Sequence, residues 1–125
     1  SMCLTLEKES SALLSVFKND EAKWKKRKMM IAGGFLHYAK DMGNFGEEPK
    51  HKLHLKKVVG IEVTNSHHHK DLIKHVNITY KEDKNATKES KWKLRFTDET
   101  HPKYRREFVR KLYRSCPQIT EFLKY

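Results

Sequence analysis

Residues 24–38 of the chain read WKKRKMMIAGGFLHY, and this stretch decides the fold. Residues 25–31 and 35–40 are two short runs that contain most of its apolar side chains, and Ala32-Gly33-Gly34 separates them. Two adjacent glycines readily adopt the positive φ angles that a tight hairpin turn requires. We therefore predict a β-hairpin with strands at 25–31 and 35–40 and a turn at 32–34.

Short segments with apolar residues at every second position continue beyond this hairpin. The clearest is KWKLRF at 91–96, in which an apolar residue follows each basic one, as expected for a strand with one buried face. Stretches rich in glycine, proline or polar residues separate the segments and indicate loops. The alternation predicts seven strands, at 11–18, 25–31, 35–40, two within 51–64, one over 72–80 and one over 91–96.

The period of the pattern changes after residue 100. Pro102 suits the first turn of a helix, and Tyr104, Phe108 and Leu112 recur at four-residue spacing, with Val109 beside them. Pro117 ends this helix, and residues 118–125 are predicted to form a short second one. The expected fold is mainly β: a seven-stranded barrel or orthogonal sandwich whose open end is capped by the C-terminal helix.

The order of these segments resembles that of the pleckstrin-homology (PH) family. That family begins with a strand ending in Lys, followed by a variable loop, Trp-Lys-x-Arg, an apolar strand, a turn and Leu-x-Tyr. The matching residues are Lys18, Trp24-Lys25-Lys26-Arg27, Met29-Met30-Ile31 and Leu36-His37-Tyr38, with Glu48-Pro49-Lys50 before the fourth strand. Phe108 stands where the family has a helical Trp. The resemblance implies a PH domain at 11–116, an N-terminal flank at 1–10 and an extension at 117–125.

Members of the PH family that this chain resembles bind phosphoinositides through Lys-x(n)-Lys-x-Arg and the third-strand Tyr. The residues carried over by that resemblance are Lys18, Lys25, Arg27, Tyr38 and Lys50. The alternation also places Lys25 and Arg27 on the barrel face, where cations are costly unless an anion meets them, and a phosphate would do so. Lys23 and Lys26 add charge to the same run, and Trp24 is expected in an exposed loop that inserts at the membrane interface.

The charge balance of the whole chain also favours a phosphate-bearing partner. The 27 Lys and Arg residues against 16 Asp and Glu give a net charge of +11. Nucleic acid is not the partner we expect, because the basic residues lack the interleaved stacking aromatics of RNA-binding strands. The partner that we expect is an anionic membrane. The Lys-rich composition of the chain also resembles that of small acylated PH proteins of apicomplexan parasites, which are associated with phosphatidic acid. No acylation motif is present here.

Location follows from the cysteines and the hydropathy pattern. Two cysteines are too few for a disulfide scaffold, which favours a reducing, cytoplasmic setting. No run approaches the roughly 18 apolar residues of a membrane-spanning helix, so we expect association at the membrane periphery, as a monomer.

The sequence does not favour a metal site or an active site. Three consecutive histidines, His67 to His69, cannot converge on one ion from an extended strand, so no metal or other cofactor is expected. Cys116 lacks a companion base and no Gly-rich phosphate loop exists, so we predict no enzymatic activity. The last helix is expected to present either a solvated basic face or a second surface for a membrane or an acidic partner. Its basic residues are Lys103, Arg105, Arg106, Arg110, Lys111 and Arg114.

The alternative function is a protein-interaction module that binds an extended peptide along a sheet edge and the helix, as PTB-like relatives do.

Overall fold

Seven strands and one long helix form the fold in the computed structural model, which describes residues 3–9, 24–39 and 51–119. The strands are β1 (Cys3–Glu9), β2 (Trp24–Ala32), β3 (Phe35–Ala39), β4 (His51–His54), β5 (Val58–Asn65), β6 (Ile73–Tyr80) and β7 (Ser90–Arg95). A 3₁₀ helix spans Leu55–Lys57, and helix α1 spans Pro102–Arg114.

All seven strands belong to one antiparallel sheet with the order β4-β3-β2-β1-β7-β6-β5. The β2–β3 hairpin turns at Gly33 and Gly34, whose φ angles of 59° and 81° lie in the left-handed region. A side chain is strained in that region, which is why the turn takes two glycines. The hairpin is therefore confirmed as predicted.

Alternation along the strands produces a buried inner face. Leu6, Met29 and Leu36 lie on this face in one half of the sheet, and Ile78 and Leu94 lie on it in the other half, all fully buried. We call the side of the sheet that carries these residues the inner face. It encloses a single core, and the mainly β fold of seven strands with a C-terminal helix is confirmed.

Helix α1 covers one end of this core. Phe108, Val109 and Leu112 are buried, and the Phe108 ring meets the Phe96 ring edge-on with 5.8 Å between centroids. The Phe108 ring thus fills the end of the core that α1 covers. Truncating it to Ala would leave a cavity costing about 3–5 kcal/mol.

The buried stripe of α1 differs from the predicted one in one residue. Tyr104 is 46% exposed, whereas Arg105 is only 3% exposed, so the stripe includes Arg105 in place of Tyr104. The placement of Arg105 on the solvated basic face was therefore wrong, because its guanidinium finds three backbone carbonyls beneath the helix. His101 caps the helix by accepting a hydrogen bond from the Lys103 amide.

The position of the first strand also differs from the prediction. Strand β1 lies at Cys3–Glu9, within the stretch assigned to the N-terminal flank, and it pairs with both β2 and β7. The predicted strand at 11–18 lies outside the described residues, as do residues 120–125 of the C-terminal extension. Residues 117–119 are not helical, and the domain boundaries stay a prediction.

Candidate functional site

Strand pairing brings three cations together at the end of the inner face away from α1. Lys8 of β1 pairs with Lys25 of β2, and Leu6 pairs with Arg27. Paired residues of antiparallel strands project from the same face. Lys8, Lys25 and Arg27 therefore continue the inner face that the buried Leu6 begins, at the end where the β1–β2 and β3–β4 connections lie.

Two aromatic rings hold the Lys8 side chain at this end. Its Nζ lies 5.5 Å from the centroid of Tyr38 and 5.5 Å from that of Trp92. Cation–π attraction offsets part of the cost of moving an ammonium group out of water. Burial lowers the pKa of Lys8, and the nearby positive charge of Arg27 lowers it further.

Tyr38 lies beside the same cations, with its ring centroid 5.5 Å from Lys8 Nζ. Its ring stacks on His51 with 4.6 Å between centroids and meets Trp92 edge-on at 5.0 Å. Burial raises the pKa of Tyr38 and outweighs the opposing effect of the Arg27 charge. The hydroxyl thus keeps its proton and can donate a hydrogen bond to an anion. We call Lys8, Lys25, Arg27 and Tyr38 the basic mouth.

No carboxylate of the described residues forms an ion pair with the basic mouth, although the charge of Glu9 favours charged Lys8. The ion pairs in the described ranges are Lys26–Glu99, Lys57–Glu82 and Arg95–Glu7. The guanidinium of Arg27 donates one hydrogen bond, from Nη1 to the Lys26 carbonyl 2.8 Å away, and other donors remain. The arrangement can therefore bind an oxyanion through two ammonium groups, a guanidinium and a phenol.

The structure separates Lys26 from the mouth. Lys26 alternates with Lys25 and Arg27 along β2 and so lies on the outer face, where its Nζ is 2.7 Å from the Glu99 carboxylate. The hydrogen bond and the charge of Glu99 raise the pKa of Lys26. Lys18, Lys23 and Lys50 lie outside the described residues, so their roles stay predictions.

Trp24 lies in a different setting from the exposed loop that we predicted. It begins β2 and is half-buried, with the Arg95 guanidinium 4.3 Å from its ring centroid and the His75 ring 5.9 Å away. Insertion of Trp24 into a membrane stays a prediction, and it would require the ring to leave Arg95.

Lys8 was not predicted to be a site residue, although the alternation in the sequence contained a signal for it. In CLTLEKE the alternating residues Leu4, Leu6 and Lys8 run from apolar to cationic. Read backwards, Met29, Arg27 and Lys25 follow the same order on β2. Two antiparallel strands with matched gradients of this kind place their cations at one end.

A comparison with solved structures agrees with this architecture. The chain is similar to the solution structure of the PH domain of human Oxysterol binding protein-related protein 11, with a TM-score of 0.53 and 19% sequence identity. The similarity covers 99% of this chain and 91% of the other. The fold is PH-like. No family model and no curated protein matches the sequence.

Outside the basic mouth, α1 carries a row of exposed arginines and the β5–β6 loop carries three exposed histidines. The exposed face of α1 carries Arg106, Arg110 and Arg114 at four-residue spacing. His67, His68 and His69 are exposed in the β5–β6 loop, and the described part of the chain contains no cluster of three or more His, Cys, Asp or Glu able to hold a metal ion. No helix within the described ranges is long and apolar enough to span a membrane.

Proposed function

We propose that the chain is a peripheral membrane-targeting module that binds the phosphate of an anionic lipid headgroup at the basic mouth. The observation that carries the proposal is the convergence of Lys8, Lys25 and Arg27 on one face without an ion pair to a carboxylate among the described residues. Cations gathered at the end of an apolar face are costly until an anion meets them. A PH-like fold is typically a non-catalytic binding module, which agrees with this role.

Electrostatic attraction alone would give weak binding. Each Lys or Arg near an anionic surface contributes about 1 kcal/mol, so three supply about 3 kcal/mol. A micromolar Kd needs about 8 kcal/mol. Direct contacts with the phosphate, from the Arg27 fork and the Tyr38 hydroxyl, are expected to supply the remainder. The carried-over Lys18 and Lys50, with Lys23, would add to the general attraction.

Vesicle sedimentation tests the proposal with two charge-matched double variants. We expect K25E/R27E to weaken binding to vesicles that contain phosphatidic acid or a phosphoinositide by at least about tenfold, since two charge-assisted contacts with the phosphate are lost. K91E/K93E changes the net charge equally on the exposed outer face of β7 and is expected to bind within about threefold of the parent chain.

The outcomes separate specific from general attraction. Equal losses in both variants would contradict a site at the mouth, and equal binding to neutral and anionic vesicles would contradict lipid recognition altogether. The comparison of phosphatidic acid with phosphoinositide vesicles identifies the preferred headgroup.

The alternative, a protein-interaction module, predicts a different pattern. Strands β4 and β5 are the two edges of the sheet, and Val59 on β5 is 47% exposed. An extended peptide paired with β5 would use backbone hydrogen bonds and an apolar contact there. Binding of such a peptide would survive K25E/R27E.

A further inference from the structure

A cavity lies beside the β5–β6 loop. Its volume is about 470 Å³, and its lining includes the three loop histidines, Lys74, His75, Asp98 and Arg105. None of these residues belongs to the basic mouth. The cavity therefore combines four histidines with two permanent cations and one carboxylate.

Arg105 forms the base of this cavity. Its guanidinium is held by three backbone carbonyls: Nε donates to Thr100 at 2.8 Å, Nη1 to Ile73 at 2.9 Å and Nη2 to Thr97 at 2.6 Å. A guanidinium has five N–H donors, so two remain after these bonds. No described carboxylate lies within ion-pair distance of Arg105, and its burial is the main cause of its lowered pKa, with Asp98 opposing.

Lys74 repeats this arrangement on β6. Its Nζ donates to the carbonyl of Phe96 at 3.1 Å and, among the described residues, has no carboxylate partner. A buried or half-buried cation that is held only by neutral carbonyls lacks the counter-charge that normally offsets its desolvation. Asp98 lines the same cavity and its charge favours charged Arg105, but it forms an ion pair with neither cation. An anion could therefore bind to both.

His75 lies in the lining of the cavity and has a lowered pKa. Burial is the main cause of its lowered pKa, and the charges of Lys74, Arg95 and His67 lower it further. From β7, Arg95 faces it, although the Glu7 carboxylate of β1 pairs with that arginine. From β2 only the neutral Trp24 ring contacts it, and Asp98 and Arg105 complete the lining from the α1 side.

We propose that this cavity is a binding site for an oxyanion of the phosphate or sulfate type, and that it binds the anion more tightly when His75 is protonated. An oxyanion would accept hydrogen bonds from the spare Arg105 donors and supply a counter-charge to Lys74. It would also favour protonated His75. Burial and the neighbouring cations hold the pKa of free His75 below its ordinary value of 6.5, so the gain in affinity is complete only below pH 6.5.

A titration with sodium sulfate, followed by amide and Arg side-chain NMR shifts, tests the proposal. Sulfate keeps its charge over this pH range, so any pH dependence comes from the protein. At matched ionic strength with chloride, we expect binding to be roughly tenfold tighter at about pH 5.5 than at about pH 7.5. The shifts should centre on residues 64–75 and on Arg105.

Three variants separate the cavity from general charge effects. H67Q/H75Q should lose the pH dependence, and K74Q should weaken sulfate binding at both pH values. H101N, which lies outside the cavity and keeps a side chain that can cap α1, should behave as the parent chain. If H67Q/H75Q does not fold, K74Q still tests the proposal. An unchanged affinity for sulfate in a folded K74Q protein would overturn it.

Binding to phosphatidic acid vesicles at about pH 5.5 shows whether the anion is a lipid headgroup or a soluble phosphate. Vesicle binding that survives K25E/R27E but is lost in K74Q indicates a lipid headgroup in the cavity. A sulfate response without such vesicle binding indicates a soluble phosphate. A sulfate response confined to the basic mouth, or equal at both pH values, would overturn the proposal and leave the lipid-binding proposal standing.

Discussion

Lys8 holds its ammonium nitrogen equally far from the ring centroids of Tyr38 and Trp92. Lys8 is half-buried, and among the described residues the charge of Arg27 opposes its ammonium charge whereas that of Glu9 favours it. A cation in this position adds little to the stability of the fold, because its desolvation offsets its contacts. We infer that its value lies in binding.

Replacing Lys8 by Met separates these two contributions. We expect the free energy of unfolding to stay the same or to rise by up to about 1 kcal/mol, because an apolar side chain of similar volume fills the same space. Binding to anionic vesicles should weaken several-fold at the same time. Urea denaturation and vesicle sedimentation measure the two quantities.

Lys93→Met is the matched control for this substitution. It removes the same charge from the exposed outer face of β7 and should change neither quantity appreciably. A Lys8→Met protein that is less stable by more than about 1 kcal/mol yet binds vesicles normally would contradict a binding role for Lys8.

At the scale of the elements, the junction between β1 and β7 joins the two halves of the sheet. Among the described residues, Glu7–Arg95 and Lys8–Leu94 pair across this junction. The side chains of Glu7 and Arg95 add an ion pair of 2.7 Å there, with 18% and 24% exposure. Partial burial reduces solvent screening of this pair, in contrast to the exposed Lys26–Glu99 pair at the same distance.

Glu7→Gln should therefore destabilise the fold more than Glu99→Gln. We expect a loss of about 1–2 kcal/mol for Glu7→Gln, because a half-buried Arg95 is left with a weaker partner, and less than about 1 kcal/mol for Glu99→Gln. Chemical denaturation at low salt measures both. Similar losses in the two variants would show that the junction does not depend on this ion pair.

Elements with strong alternation or a clear change of period were predictable from the sequence. Strand β7 and the β2–β3 hairpin are of this kind, since each carries a buried face and recognisable turn residues. Strand β1 was not found, because CLTLEKE has only two buried-face apolar residues and its charged half resembles a solvated segment. The matched gradients of β1 and β2 are a signal of their pairing, but the pairing of β1 with β7, which is distant in sequence, has no such signal.

The candidate site was predictable to a similar extent. Lys25 and Arg27 follow from the period of β2, whereas the neutralisation of Lys26 by Glu99 depends on a contact between residues 73 positions apart. The burial of Arg105 shows the same limit. Its spacing with Phe108 and Leu112 fits the buried stripe, but a basic side chain is placed inside only when backbone carbonyls are available to it, and these come from other elements.

For the whole molecule, the N-terminal strand is a central element of the sheet. Deleting residues 1–10 removes β1 and with it the only link between β2 and β7 in the sheet order. We expect the truncated chain to lose cooperative unfolding and the dispersed NMR spectrum of a folded domain. Deleting Ser1 and Met2 alone is the control and should preserve both. A truncated chain that still unfolds cooperatively would show that residues 11–116 suffice, as first predicted.

The central position of β1 also affects how the chain folds during synthesis. Glu7 and Arg95 are 88 residues apart, so a ribosome adding about 5–20 residues per second makes the second partner roughly 4–18 s after the first. Through that interval one edge of the earliest strand has unpaired amide and carbonyl groups, which can template pairing with a neighbouring nascent chain. Slower translation lengthens this exposure, and we expect the yield of native protein to fall with it.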